Sequence, residues 1–295
     1  MNPTSEPRPF ALGKGDRIAV IAGSGQLPKE VAEGLIRAGY RPLVVAIEGE
    51  AGLGEDPRYD LLRVTHEELG KVLSILKREG VTHLILAGGV ERRPPLSTLR
   101  YSPKILMHLP RLVAGYARGD DGLLRAIIGF INSYGIRLIG AHEVVPELLA
   151  PNALLTKQAP KASDQKDISA ALAAARAIGR LDIGQAAVAV GGRAIALEGI
   201  EGTDGLLQRA IDLRSHGRIA GKTRGVLVKC AKPGQELRVD LPSIGPQTVR
   251  DAHAAGLAGI AVEAERSLIL QCSETVGLAD EFGLFLLGFE RGREE

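Results

Sequence analysis

The feature that most limits what this chain can fold into is a repeated alternation of short apolar run, glycine turn and amphipathic helix. Arg17 to Ala22 carries Ile18, Ala19, Val20 and Ile21 into Gly23-Ser24-Gly25. Pro28 to Ala38 follows as a helix, with Pro in the first turn, Val31, Leu35 and Ile36 at helical spacing and Gly39 after its end. Arg41 to Ile47 reads as a second strand. Glu67 to Glu79 reads as a helix with Leu69, Val72, Leu73 and Leu76 on one face, and Val81 to Leu86 as a strand running into Ala87-Gly88-Gly89. This βαβ alternation predicts a parallel sheet with right-handed crossovers. Ligands in such sheets bind beyond the carboxyl ends of the strands. The loops 23–28 and 88–89 both fall on that edge.

The pattern continues with a helix from Gly119 to Tyr134, with Asp120 and Asp121 near its start. A short strand, Ile136 to Ile139, then leads into Gly140-Ala141-His142-Glu143. Residues 146–166 mix Pro, polar and small residues and are the best linker candidate. The expected division is a disordered lead at 1–16, a first α/β domain at 17–145, a linker at 146–166 and a second α/β domain at 167–295. Two domains suit a chain of 295 residues. In the second domain, Asp167 to Ile178 is an Ala-rich helix, and Ala186–Val190 and Ala194–Leu197 are strands around a Gly191-Gly192 hairpin signal. Helices over Leu206–Leu213 and Thr248–Ala255, and strands over Gly225–Lys229 and Gly259–Val262, complete a unit with mixed connections.

Several function classes lose ground on composition. The net charge is only +2, aromatics are 3% and there is no Trp, so neither a strong field nor stacking platforms point to nucleic acid. Cys230 and Cys272 have no metal-ligand or redox spacing, which predicts a reducing, cytoplasmic compartment. The N-terminal stretch is Pro-rich and polar rather than a secretory signal, and no run reaches the ~18 apolar residues of a membrane span.

The chemistry concentrates between Glu201 and Asp240. Glu201-Gly202-Thr203-Asp204 precedes a helix, so Thr203 or Asp204 could simply cap it. Asp240 follows a strand-like Leu237-Arg238-Val239 and precedes Leu241-Pro242. Lys229 and Lys232 end the preceding strand, where they could neutralise phosphate as point charges. Hard oxygen ligands beside cations are what a divalent metal and a phosphate both require. The candidate catalytic residues are therefore Asp240, Asp204 and Lys229, and the candidate metal ligands are Asp240, Asp204 and Glu201. The candidate substrate contacts are Gly23, Ser24, Gly25, Gln26, Leu27, Gly88, Gly89 and Thr203. The first glycine loop lacks the third Gly of the dinucleotide fingerprint, with Pro28 standing there instead, and a structural tight turn explains it equally. Asp120 and Asp121 read first as helix-capping acids, and His142-Glu143 as a structural pair before an acid/base one.

Taken in order, these segments resemble the LpxI-type UDP-2,3-diacylglucosamine pyrophosphatases. The matching stretches are Ile21-Ala22-Gly23-Ser24-Gly25-Gln26-Leu27-Pro28, Gly119-Asp120-Asp121 with Leu123-Leu124-Arg125, and Gly140-Ala141-His142-Glu143. They continue with Leu181-Asp182-Ile183-Gly184-Gln185, Glu201-Gly202-Thr203-Asp204, and Arg238-Val239-Asp240-Leu241-Pro242-Ser243-Ile244-Gly245. The similarity runs from about Arg17 to Gly288. It implies an N-terminal Rossmann-like parallel-sheet domain and a distinct C-terminal α/β domain, with a UDP-sugar lipid held between them. It also implies Mg²⁺-dependent hydrolysis at the α-phosphate, giving UMP and 2,3-diacylglucosamine 1-phosphate. Mn²⁺ is the alternative ion. Asp240 matches the family's key acidic position. Gly89 departs from the family, whose members often carry a larger polar residue there, and Glu91-Arg92-Arg93-Pro94 departs by one extra residue.

A lipid substrate brings a peripheral contact with the inner membrane into consideration, and a homodimer is compatible with the sequence. Two other classes stay open on the residues alone. One is a non-catalytic nucleotide- or lipid-binding module on the same scaffold. The other is an NAD-linked oxidoreductase, against which the missing third Gly argues.

Overall fold

The computed structural model describes residues 15–90, 120–217 and 224–290, together with 13, 107, 108, 110, 114 and 219. Most of the N-terminal lead and the Glu91–Pro94 run lie outside the described residues. The chain divides into two compact units. The first comprises residues 1–146 with Glu236–Asp240, and the second comprises Glu147–Gln235 with Leu241–Glu295.

In the first unit, strands β1 (Ile18–Ala22), β2 (Leu43–Ile47), β3 (Asp60–Val64), β4 (His83–Ala87) and β5 (Arg137–Leu138) form one sheet in the order β3-β2-β1-β4-β5. Every pairing is parallel, as the βαβ alternation predicts. All of β2 and nearly all of β1 and β4 are buried, which is why these strands read as continuous apolar runs. Helices α1 (Leu27–Arg37), α2 (Leu69–Arg78), α3 (Asp120–Asn132) and the short α4 (Ala141–Val144) complete the unit. Leu76 of α2 and Ile131 of α3 pack with Val45, Leu84 and Leu138 in one apolar cluster, and Val239 of the returning segment joins it. The strand order reverses between β1 and β4, so the loops that follow these two strands flank the switch point where open α/β sheets bind ligands. β3 escapes the sequence pattern because Asp60-Leu61-Leu62-Arg63-Val64 alternates neither as an edge nor as a core strand.

The second unit is built on a mixed sheet in the order β12-β10-β8-β6-β7. Its strands are β6 (Ala186–Val190), β7 (Arg193–Leu197), β8 (Val226–Lys229), β10 (Gly259–Glu263) and β12 (Phe285–Phe289). β8, β10 and β12 run parallel, whereas β6 is antiparallel to both β7 and β8. Gly191 and Gly192 take φ of 65° and 77°, the two left-handed residues of a tight hairpin turn. Helix α5 (Ala162–Arg180) lays Ala171 and Ala175 against Ala187, Ala189 and Val228, so small residues on both surfaces permit close packing. α5 starts ahead of the predicted Asp167, at Ala162. The Asp164 carboxylate accepts the Lys161 N–H at 2.7 Å and closes the extra turn. Helices α6 (Gly202–Ser215), α7 (Pro246–Ala254) and α8 (Cys272–Glu281) cover the opposite face, and a two-stranded pair, β9 (Ser243–Ile244) with β11 (Leu268–Ile269), lies beside them. No helix among the described residues is long and apolar enough to cross a membrane.

Candidate active site

In the first unit the two glycine loops lock together. Ser24 N–H donates to the Gly89 carbonyl at 2.7 Å, and Gly89 N–H returns a bond to the Ser24 carbonyl at 3.2 Å. A Cβ at Gly23 would come within 2.9 Å of the Gly89 carbonyl carbon and closer still to its oxygen, so this approach admits only glycine. The consequence for binding is specific. The Ser24 N–H is spent on Gly89 and the Gly23 N–H on the Ala87 carbonyl. The donors left to face an anion are the N–H groups of Gly25, Gln26 and Leu27, just before and at the start of α1, for which the described residues supply no backbone acceptor.

Asp120 and Asp121 fall in α3, but their side chains lie outside the described residues. His142 is in α4, and its Nδ1 is buried without a hydrogen-bond partner among the described residues. Burial pushes the imidazole pKa down, against the opposing pull of Glu143. Glu143 Oε1 accepts the Gly140 N–H at 2.7 Å, which closes the first turn of that short helix. The structural role anticipated for Glu143 is therefore present.

Leu237-Arg238-Val239 is a turn rather than the expected strand. The N–H groups of Val239 and Asp240 both donate to the Glu236 carbonyl at 3.1 Å. Arg238 grips the Glu236 carboxylate through Nε and Nη2, each at 2.7 Å. That bidentate bond holds the Glu236 pKa below its ordinary value and raises that of Arg238. Asp240 thus ends a rigid turn whose contacts belong to the first unit, although the flanking chain belongs to the second.

In the second unit, Lys229 ends β8 and is only 7% exposed. Its Nζ donates to Thr203 Oγ1 at 2.8 Å and to the Ser243 carbonyl at 3.0 Å. Thr203 Oγ1 in turn donates to Glu198 Oε1 at 2.6 Å. Glu198 Oε2 accepts the Gln185 N–H at 2.7 Å, and the residue is 6% exposed. Thr203 therefore does not cap α6. The residue preceding that helix is Glu201, whose side chain makes no capping bond and instead pairs with Arg209. Asp204 is exposed in the first turn and faces Asp251 of α7. Burial raises the Asp251 pKa, Gln247 opposes the rise, and Asp204 adds to it. Lys232 is committed to Asp182 at 2.6 Å.

Among the described residues no group of three or more His, Cys, Asp or Glu side chains is gathered to hold a metal. Glu201 is drawn away by Arg209. Mg²⁺ does not require a protein cage, because one or two carboxylates with water and substrate phosphates are its usual set. The hard oxygens of Asp240 and Asp204 fit that donor chemistry, and Glu201 fits it least. Sequence reasoning missed Glu198, and it singled out Asp182 and Gln185 only within a matching stretch, with no role assigned. The available signal was Glu198 at the end of a strand, turned by Gly199 and shortly ahead of Thr203.

Two family models match the chain, the LpxI N-terminal domain over residues 17–148 and the LpxI C-terminal domain over 151–287. A curated relative, the UDP-2,3-diacylglucosamine pyrophosphatase LpxI of Caulobacter vibrioides, is 41% identical over 275 residues, covering 93% of this chain and 98% of that protein. Among solved structures, a minor L-lactate dehydrogenase from Enterococcus mundtii aligns over 43% of this chain and 36% of its own, at 20% identity and a TM-score of 0.20. A UDP-glucose-4-epimerase from Stenotrophomonas maltophila aligns over 94% of this chain and 78% of its own, at 8% identity and a TM-score of 0.30. Neither likeness is close enough to bear on the fold. The two domain models and the near full-length identity do bear on kinship: the chain belongs to the LpxI family.

Proposed function

We propose that this chain hydrolyses UDP-2,3-diacylglucosamine at the α-phosphate, releasing UMP and 2,3-diacylglucosamine 1-phosphate in lipid A biosynthesis. The observation that carries the reading is the 41% identity to a UDP-2,3-diacylglucosamine pyrophosphatase over 98% of that protein's length. The sequence segments that define the candidate site lie inside the stretches matched by the two LpxI domain models. The reading puts the protein in the cytoplasm, with peripheral contact at the inner membrane where its lipid substrate resides.

In this reading Mg²⁺ would be held by carboxylate oxygen, with Asp240 and Asp204 as the candidate ligands. When bound, the ion supplies charge neutralisation for pyrophosphate oxygens in the transition state. The N–H groups of Gly25, Gln26 and Leu27 bind the polar head of the ligand at the switch point of the first sheet. Lys229 adds fixed positive charge at the end of β8, and its bonds to Thr203 and Ser243 remove the freedom a surface lysine would have. Water attacks the α-phosphorus in line and the lipid phosphate leaves.

The test is turnover of UDP-2,3-diacylglucosamine in ¹⁸O-enriched water, with Mg²⁺ and with EDTA, followed by mass analysis of both products. The expected result is Mg²⁺-dependent formation of UMP carrying the label. Label in the lipid phosphate would place the attack on the other phosphorus. Ligand binding without turnover would instead favour a non-catalytic binding module.

A further inference from the structure

We propose that Glu198 is a positioning residue for this reaction, acting through the Thr203 hydroxyl to fix the Lys229 ammonium. The inference rests on the reading of Lys229 as part of the reactive site. Its basis is the direction of hydrogen bonding. A threonine hydroxyl has one proton to give. Glu198 Oε1 at 2.6 Å is a carboxylate oxygen that can only accept, so the proton points there. The hydroxyl lone pairs are then turned toward Lys229 Nζ at 2.8 Å, which can only donate. Oε2 accepts the Gln185 N–H at 2.7 Å, so the carboxylate is anchored at its other end and cannot rotate away.

The main chain reinforces this anchor. A Cβ at Gly184 would lie 2.9 Å from the Glu198 carbonyl carbon, so the Leu181–Gln185 loop is pressed directly against Glu198. Glu198 N–H also donates to the Ala186 carbonyl at 2.9 Å. The result is a one-way relay of donors, from ammonium to hydroxyl to carboxylate, with both charged ends buried. Such charge-assisted bonds are stronger and geometrically stricter than exposed ones. Glu198 does not act on the reacting atoms; with the Ser243 carbonyl it sets where Lys229 stands.

Glu198→Gln is nearly isosteric, yet no orientation of the amide accepts from both partners as the carboxylate does. With its oxygen toward Thr203, its NH₂ opposes the Gln185 N–H. With its NH₂ toward Thr203, the hydroxyl accepts from both the amide and the ammonium, and its own proton loses the carboxylate that received it. The expected loss in kcat is about 10- to 100-fold, with KM changed less than about threefold. Thr203→Val cuts the relay at its middle while leaving the Glu198–Gln185 anchor, and Thr203→Ser retains it. If the relay acts as one unit, the double variant Glu198→Gln/Thr203→Val loses no more than Thr203→Val alone, and Thr203→Ser stays within about threefold of the parent.

Competitive acetylation of Lys229, read by peptide mass, provides a measurement that needs no turnover. The Lys229 labelling rate is expected to rise at least about threefold in both Glu198→Gln and Thr203→Val, because the neutral amine that reacts forms and is reached more readily once the ammonium is released from these partners. Losses that multiply in the double variant, or unchanged Lys229 labelling in folded Glu198→Gln protein, would overturn the positioning role. An inactive parent enzyme would overturn the proposed reaction instead, and the labelling result would still stand as a test of the relay.

Discussion

Replacing Gly23 by alanine probes the contact that shapes the switch point of the first sheet. The added methyl would sit 2.9 Å from the Gly89 carbonyl carbon and closer to its oxygen, and both are backbone atoms that cannot swing aside. The loops must separate, which sacrifices the Ser24 N–H to Gly89 bond at 2.7 Å and the Gly89 N–H to Ser24 bond at 3.2 Å. Two such bonds contribute about 1–3 kcal/mol together, and residual crowding adds about 1 kcal/mol. The predicted cost is thus roughly 2–4 kcal/mol. Gly25→Ala is the control. Gly25 has φ of +89° with no atom within 4 Å of its Cβ position, so it carries the backbone penalty of about 1–2 kcal/mol without the clash. Urea unfolding of both variants, extrapolated with the parent m-value, reads the difference. Nucleotide titration should show weaker UMP binding for Gly23→Ala, because moving the loop tilts the α1 donors. If Gly23→Ala costs no more than Gly25→Ala, the argument from close approach is wrong.

Three further outcomes follow from the geometry. Asp240→Ala should lower kcat by at least about 100-fold while the melting temperature stays within a few degrees, since its backbone N–H bond to Glu236 survives the change; undiminished turnover would remove Asp240 from the site. Asp164 is fully buried: burial works against its ionisation, but Arg224 and the Lys161 N–H outweigh it and hold its pKa below the ordinary value. Its stabilisation is therefore complete above the unfolded pKa of about 4 and fades as pH falls through the lower folded value. Asp164→Asn should cost about 1.5–3 kcal/mol at about pH 7 and flatten acid unfolding, and a parent-like acid titration would refute that. His142 has a lowered pKa, so the unfolded chain takes up its proton first, and stability falls on acidification below about 6.5, down through the folded value. An NMR titration placing the His142 pKa above that of a free histidine would reverse the sign.

Much of the first sheet could be read directly because its strands are buried on both faces and its helices have clean apolar stripes. Val31 and Leu35 of α1, and Val72, Leu73 and Leu76 of α2, are the buried positions that the spacing selects. What the pattern could not supply depends on partners distant along the chain. Leu237-Arg238-Val239 alternates like a strand, yet the Glu236 carbonyl and the Arg238–Glu236 pair bend it into a turn. Thr203 has the composition of a helix cap, but Glu198, brought back by the β7 end, captures its hydroxyl. Lys229 is visible in the sequence as a cation at a strand end. Its burial and its bond to Ser243 arise only once β8 and β9 are assembled. Glu201 resembles Asp204 as an oxygen ligand until Arg209, two turns along α6, engages it.

The return of Glu236–Asp240 to the first unit changes what counts as a module in this chain. The backbone passes between the two units three times, after Pro146, after Gln235 and after Asp240, so no single cut separates them. A fragment ending near Pro146 would leave uncovered the apolar surface that Val239 occupies and the place beside Gly140 where the Arg238 backbone packs. A chimera exchanging units between two family members would have to transplant the Glu236–Asp240 turn with the N-terminal half, although it is encoded far downstream. Asp240 would travel with it. The inheritance of the candidate acidic residue is thereby tied to the parallel sheet of the first unit rather than to the strands that immediately precede and follow it in the sequence.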